Sequence, residues 1–212
     1  MPRPKLGAVV MAAGEGRRFG SAKQLLEVDG VPLVCRAIAA ALNARVSRVA
    51  VVTGAHAHAV ADAVRAWVAH CEGSADVALA HNPDWHTGMR SSLRVGMRAL
   101  TAMDSPDACF ILLADQPNLT ASVLTGFAAR LQGTSTDAVA LAYPSGPGVP
   151  ALFSRKLYPR LLGEDVAYPD EGAKAILRDE GVRTELIDDP AQRVDVDTRE
   201  AWRLWLADKS QI

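Results

Sequence analysis

"GAVVMAAGEGRRFGSAKQLLEVDG", residues 7 to 30, carries an apolar run straight into three glycines, two arginines and a lysine. GAVVMAA reads as a strand covered on both faces, and the glycine-rich residues after it as a tight connection to a helix. A dinucleotide-binding turn requires G-x-G-x-x-G and an acidic residue about 20 positions on, to hold the ribose hydroxyls. Here Gly14, Gly16 and Gly20 give GxGxxxG, and the second candidate strand ends in VVTGAHAHA, with no acid where one is required. That weighs against hydride transfer, and the GxxxxGK[ST] of a Walker A loop is absent. Two readings stay open. The loop is either a solvated basic turn or a cradle whose backbone N–H groups wrap a triphosphate, with Arg17 or Arg18 and Lys23 supplying charge. Gly14 and Gly16 would let the backbone approach the phosphates closely.

Further apolar runs lie outward from the loop: RVAVVTGA within 45 to 55, DVALAHN (76 to 82), ACFILLAD (108 to 115) and DAVALAYP (137 to 144). Between them stand the helical patterns PLVCRAIAAALNA, HAVADAVRAWVAHC, SSLRVGMRALT and TASVLTGFAARLQ. Alternation of this kind predicts an α/β, Rossmann-like doubly wound fold with a mostly parallel sheet and helices on each face. After Pro144 the chain is punctuated by glycine and proline. There the pattern predicts two short helices and no strand of the earlier type, as a small lid or lobe over the carboxyl edge of the sheet. A strand-like RTELID and the amphipathic end of RVDVDTREAWRLWLA complete the chain.

With 212 residues, 49% of them hydrophobic, a single domain over 1–212 is expected. Lys and Arg number 23 against 24 Asp and Glu, so no global field draws the chain to nucleic acid or to an anionic membrane. Anion binding must be local. Cys35, Cys71 and Cys109 have no paired spacing and read as reduced thiols of a cytoplasmic protein. MPRPKLGAVVMAAG has the outline of a signal peptide, but Glu15, Arg17 and Arg18 cut its apolar run short, and it is expected to be the first strand. No stretch approaches the roughly 20 apolar residues of a membrane span.

The loop and its surroundings resemble a known family. MAAGEGRRFGSAKQLLEVDGVPLV is similar to the AAGxGxRxGxxKxLLxxxGxPL signature of nucleotidyltransferases, with Gly14, Gly16, Arg18, Gly20 and Lys23 on motif positions. NPDWHTGMRSSLRVGMRAL, LLADQPNLT, GPGVPALFSRKLYPRL, DEGAKAILR and VDVDTREAW resemble segments of the molybdenum cofactor cytidylyltransferase family of the MobA-like NTP transferases. The resemblance spans nearly the whole chain. It departs at Val149, where family members commonly carry His, and at Arg199, where Pro is usual. The first departure touches the identity of the acceptor, the second a helix N-terminus.

This resemblance implies a Mg²⁺-dependent nucleotidyltransferase that moves CMP from CTP to the phosphate of the molybdenum cofactor and releases pyrophosphate. Arg18 and Lys23 would meet the departing pyrophosphate, and Ala12, Ala13, Gly14 and Gly16 the nucleotide. Gly88 and Ser92 are expected beside the base, although Ser91 and Ser92 also suit helix N-caps. Asp115 ends an apolar strand at the carboxyl edge, where open α/β folds place ligands, and is the first expected metal ligand. Asp195 and Asp197 would share one face of an extended segment. The resemblance favours Asp197 as second ligand, with Asp195 in reserve; Asp197 with Glu200 also fits a capping box. AAG at 12 to 14 with DQP favours cytidine over guanosine by family pattern.

A sugar phosphate or another small phosphorylated acceptor, a non-catalytic carrier of nucleotide or cofactor, and a molybdoenzyme client are alternatives or additions that the same residues allow. His56 and His58 form an H-x-H without a third ligand nearby, and His81 and His86 read as surface or supporting groups. Trp67, Trp202 and Trp205 fit helical apolar faces, and Trp85 would stiffen the NPDW turn.

Overall fold

The computed structural model describes residues 4–71, 76–102, 105–133, 135–163 and 172–209. The opening run forms β1 (Leu6–Ala12), followed by a short hairpin of β2 (Glu27–Val28) and β3 (Val31–Pro32) turning at Asp29 and Gly30. Then α1 (Leu33–Asn43), β4 (Arg48–Thr53), α2 (Ala57–Val68), β5 (Asp76–His81), α3 (Met89–Thr101) and β6 (Ala108–Leu113) alternate as expected. The chain goes on through α4 (Ala121–Gly133), β7 (Ala138–Tyr143), β8 (Gly146–Ser154), α5 (Tyr158–Leu162), α6 (Lys174–Leu177), β9 (Thr184–Ile187) and α7 (Arg199–Lys209).

Seven strands make one sheet in the order β5-β4-β1-β6-β8-β7-β9. β8 runs antiparallel to both of its neighbours, and the other pairings are parallel. Side chains alternate across the pleat, so Val10, Phe110 and Leu112 face α1, α2 and α4, while Val9, Cys109 and Ile111 face α3, α5 and α6. Both faces are covered, which is why the strands read as unbroken apolar runs.

The strand β8 corrects one expectation, since a nine-residue strand lies after Pro144 where none was predicted. Pro147 and Pro150 hide it, because proline donates no ladder hydrogen bond and argues against a central strand. β8 tolerates them because β6 pairs only with Ala151 to Ser154. Val149 and Pro150 fall where the register with β7 slips between Ala140 and Leu141, so the bulge absorbs the proline. The two short helices of that segment are α5 and α6. Residues 164–171 of the expected lobe lie outside the described residues.

Gly96 sets how closely α3 lies on the sheet. A Cβ there would meet Val9 Cγ1 at 2.3 Å and Val52 Cγ2 at 2.7 Å. The N-terminus of α3 is thereby drawn toward the carboxyl ends of β1 and β4. The chain winds from β1 to β4 to β5 and then returns to place β6 on the other side of β1. That reversal opens a crevice at the carboxyl ends of β1 and β6, the position at which such sheets bind ligands.

Candidate nucleotide site

The crevice is a cleft of about 570 Å³ lined by the loop after β1, the end of β6, the start of α3 and the segment before α7. Within the loop, Gly16 has φ +71°, and a Cβ there would stand 2.3 Å from the Ser21 carbonyl oxygen. Only glycine suits that position. The loop's carbonyls are held by donors of the protein itself. Gln24 Nε2 donates to Ala12 O (3.2 Å) and Gly14 O (3.1 Å), Ala55 N to Ala13 O (3.0 Å), and His56 Nε2 to Glu15 O (2.9 Å). The amides of residues 14–18 donate to no protein group among the described residues. A loop with its acceptors consumed and its donors uncommitted is built for an anion.

Facing the loop are three carboxylates. Lys23 Nζ bonds Asp115 Oδ2 closely and Asp197 Oδ1 at 2.7 Å, and Arg18 Nη2 reaches Asp197 Oδ2 at 2.8 Å. Asp195 Oδ1 accepts from Gln116 Nε2 at 3.0 Å. The 193–198 segment is tied to the end of β6 by Val196 N, which donates to Asp115 O at 3.0 Å. Burial and the nearby Asp115 and Asp197 push the Asp195 carboxyl up to about 6, against the Gln116 hydrogen bond and Lys23. Burial pulls the Lys23 ammonium down, but Asp115 and Asp197 outweigh it and hold it above its ordinary value. Asp197 feels the opposite balance: burial raises it, and Lys23 and Arg18 bring it below the usual carboxylate range. Asp115 Oδ1 is buried without a hydrogen-bond partner.

All ten residues singled out from the sequence, Ala12, Ala13, Gly14, Gly16, Arg18, Lys23, Gly88, Ser92, Asp115 and Asp197, line this one cleft, as does Asp195. Arg17 pairs with Glu15 at 2.7 Å, while Arg18 turns to the acids. Two capping alternatives are corrected. Thr198 Oγ1, not Asp197, accepts from an amide of the first turn of α7 (Ala201 N, 3.1 Å). Gly88 rather than a serine stands at the N-cap of α3. Ser92 sits one turn in, almost fully buried, and accepts from Asn82 Nδ2 at 2.9 Å.

Gln24, Asn82, Gln116 and Lys174 were not singled out by number, although each lies within a quoted segment: Gln24 directly after Lys23, Asn82 at the start of NPDW, Gln116 in DQP and Lys174 in DEGAKAILR. His56 holds the loop through Glu15 O, and Trp85 lines the cleft edge-on to His86 at 6.0 Å. Cys35 and Cys109 are buried free thiols pushed up to about 12 by desolvation; Cys71 is only half-buried. No described helix is long and apolar enough to cross a membrane.

A switch-point crevice with an amide-rich loop on one wall and acids on the other is the arrangement that a nucleotidyltransferase needs, and the family match assigns the chain to that class. The chain belongs to the MobA-like NTP transferase domain family, whose signature matches residues 8–185. Among solved structures it is similar to the Mycobacterium sp. strain JC1 homologue of Mycobacterium tuberculosis Rv0371c, with 26% identity over 99% of both chains and a TM-score of 0.76. It is also similar to M. tuberculosis H37Rv Rv0371c in complex with manganese, at 23% identity over 96% of this chain and 98% of that one (TM-score 0.70). A nucleotidyl transferase of Methanothermobacter thermautotrophicus aligns at 23% identity over 97% of each chain, with a TM-score of 0.74. No curated protein matches the chain.

Proposed function

We propose that the protein, as one domain over 1–212, transfers CMP from CTP to the phosphate of the molybdenum cofactor, with Mg²⁺ as the working metal. The observation that carries the transfer is the unpartnered, buried Asp115 Oδ1, set beside Asp195 and Asp197 and across from a loop of uncommitted amides. Mg²⁺ suits such a site, because it takes one or two carboxylates and completes its shell with substrate phosphates and water. Asp115 and Asp197 would hold it, and it would offset charge at the α-phosphate. The manganese in the Rv0371c complex supports a divalent ion in this fold.

The chain's own groups then have plain tasks. The amides of residues 14–18 bind the triphosphate, and Arg18 and Lys23 stabilise the negative charge that gathers on pyrophosphate as it leaves. An oxygen of the acceptor phosphate attacks the α-phosphorus in line, the bond to the β-phosphate oxygen breaks, and the electron pair departs with pyrophosphate. A phosphate acceptor is already ionised, so no general base is needed. Gly88 and Ser92, at the start of α3, are assigned to the cytidine side. The choice of CTP and of the molybdenum cofactor is supported by the motif resemblance.

Val149 favours a second reading for the acceptor alone. It is buried, its carbonyl accepts from Gln116 and Tyr143, and it offers no imidazole at the position where the motif resemblance implies His. Another phosphorylated acceptor would fit the same chemistry. Pyrophosphate release, measured with CTP and GTP crossed against molybdenum cofactor and sugar phosphates, decides among them. CTP with molybdenum cofactor should be fastest. Turnover with GTP alone, or no release with any acceptor, overturns the assignment.

A further inference from the structure

Beside the cleft, and sharing Met11, Met89, Leu113 and Lys174 with it, lies a notch of about 50 Å³ whose remaining wall includes Leu93, Ile111 and Val149. Every side chain on that wall is apolar except Lys174. The Lys174 ammonium sits 5.9 Å from the centroid of the Tyr143 ring and makes no ion pair among the described residues. Arg18 and Lys23, by contrast, pair with Asp115 and Asp197 on the side assigned to the triphosphate. A cation of this kind on a cleft wall suits an anion. An apolar recess next to it excludes hydroxyls, because a buried hydroxyl without a partner is costly.

We infer that this corner seats the acceptor: Lys174 meets an oxygen of its phosphate, and the notch takes a small hydrocarbon branch a few bonds away. The acceptor is then a phosphate monoester whose first carbons beyond the phosphate carry no hydroxyl, which suits either acceptor reading above but not a polyol phosphate. Val149 sets the polarity of the recess. This assignment rests on the nucleotidyl-transfer reading for its meaning, but binding tests it without turnover.

The protein carrying ¹³C-methyl methionine is titrated with isobutyl phosphate, methyl phosphate and glycerol 3-phosphate by NMR. Isobutyl phosphate should move the Met11 and Met89 methyl signals and leave that of the fully buried Met97 still. Its affinity should exceed that of methyl phosphate by about fourfold for each further carbon buried. Lys174→Ala should weaken all three phosphates about tenfold or more, the scale of a lost charge-assisted bond. Val149→Phe, checked for an unchanged melting temperature, should cancel the preference for isobutyl over methyl phosphate while the response to CTP persists. Equal affinity for isobutyl and glycerol phosphates, silent Met11 and Met89, or full binding by Lys174→Ala overturns the inference. If the methyl shifts occur and no acceptor yields pyrophosphate, the phosphate-monoester site at this corner stands and nucleotidyl transfer falls.

Discussion

Replacing Lys23 with methionine removes one charge and little volume. Lys23 is 19% exposed, Asp115 13% and Asp197 34%, so the three groups form a half-buried triad. Breaking a fully buried pair costs about 3–5 kcal/mol, and an exposed one about 0–1 kcal/mol. Partial exposure places Lys23→Met between these, at about 2 kcal/mol. For a chain of this size that corresponds to a melting temperature roughly 4–8 °C lower when measured in EDTA. The loss should shrink as pH falls below about 6, because protonation of the Asp195 carboxyl removes its repulsion with the neighbouring acids. A divalent cation seeks the same oxygens that Lys23 occupies, so Mg²⁺ or Mn²⁺ should raise the melting temperature of Lys23→Met more than that of the wild type. The assay is thermal unfolding followed by circular dichroism, with and without the metal. Equal melting temperatures in EDTA, together with equal gains on adding metal, would refute the carboxylate-site assignment.

Asp115→Asn keeps the shape of the side chain and removes its charge; pyrophosphate release should fall at least about a hundredfold, by analogy with loss of one group that stabilises transition-state charge, and an active variant would exclude Asp115 as the metal anchor. Gly16→Ala forces a side chain into φ +71° against the Ser21 carbonyl, so the loop must shift. The thermal shift caused by CTP should fall sharply, and a full response would show that the loop does not grip the triphosphate. Asp137 is held down to about 2, first by the Lys156 hydrogen bond and then, against burial, by Arg183. A depressed carboxyl stabilises the fold above its unfolded pKa of about 3.9 and loses that contribution as pH falls toward 2. Since Lys156 and Arg183 are largely exposed, about 1 kcal/mol is at stake. Asp137→Asn should therefore remove part of the drop in stability between about pH 4 and 2, and unchanged acid-unfolding curves would count against it.

The parallel half of the fold was legible because strands covered on both faces must be apolar throughout, as in GAVVMAA and ACFILLAD. β8 was not, since its prolines imitate a loop and only the pairing with β7 reveals a bulge. The hairpin of β2 and β3 is too short for periodicity to register. At the site, the glycine spacing and Lys23 marked the phosphate side, and Asp115 marked a strand end. Asp195 and Asp197 were visible as alternating acids, yet their approach to Lys23 depends on docking of the 193–198 segment. Lys174 lies within the quoted DEGAKAILR, but at a position that the resemblance does not single out. Its place on the cleft wall comes from how α6 packs beside β8, which no short-range pattern encodes.

That docked segment bears on how the molecule acquires its activity. Lys23 and Arg18 meet Asp197 across 174 and 179 positions of sequence, among the longest loops this chain can close. Contacts of such separation repay their closure entropy late in folding. A chain that has formed β1 and its loop, but has not yet seated residues 193–198, would have the anion cradle without the Asp195 and Asp197 side of the site. Triphosphate could dwell there, but the cleft would lack part of the acid wall proposed to hold the metal. Metal-dependent nucleotide binding would therefore report completion of the whole fold, and the burden of preventing premature chemistry would fall on chain topology rather than on a moving part.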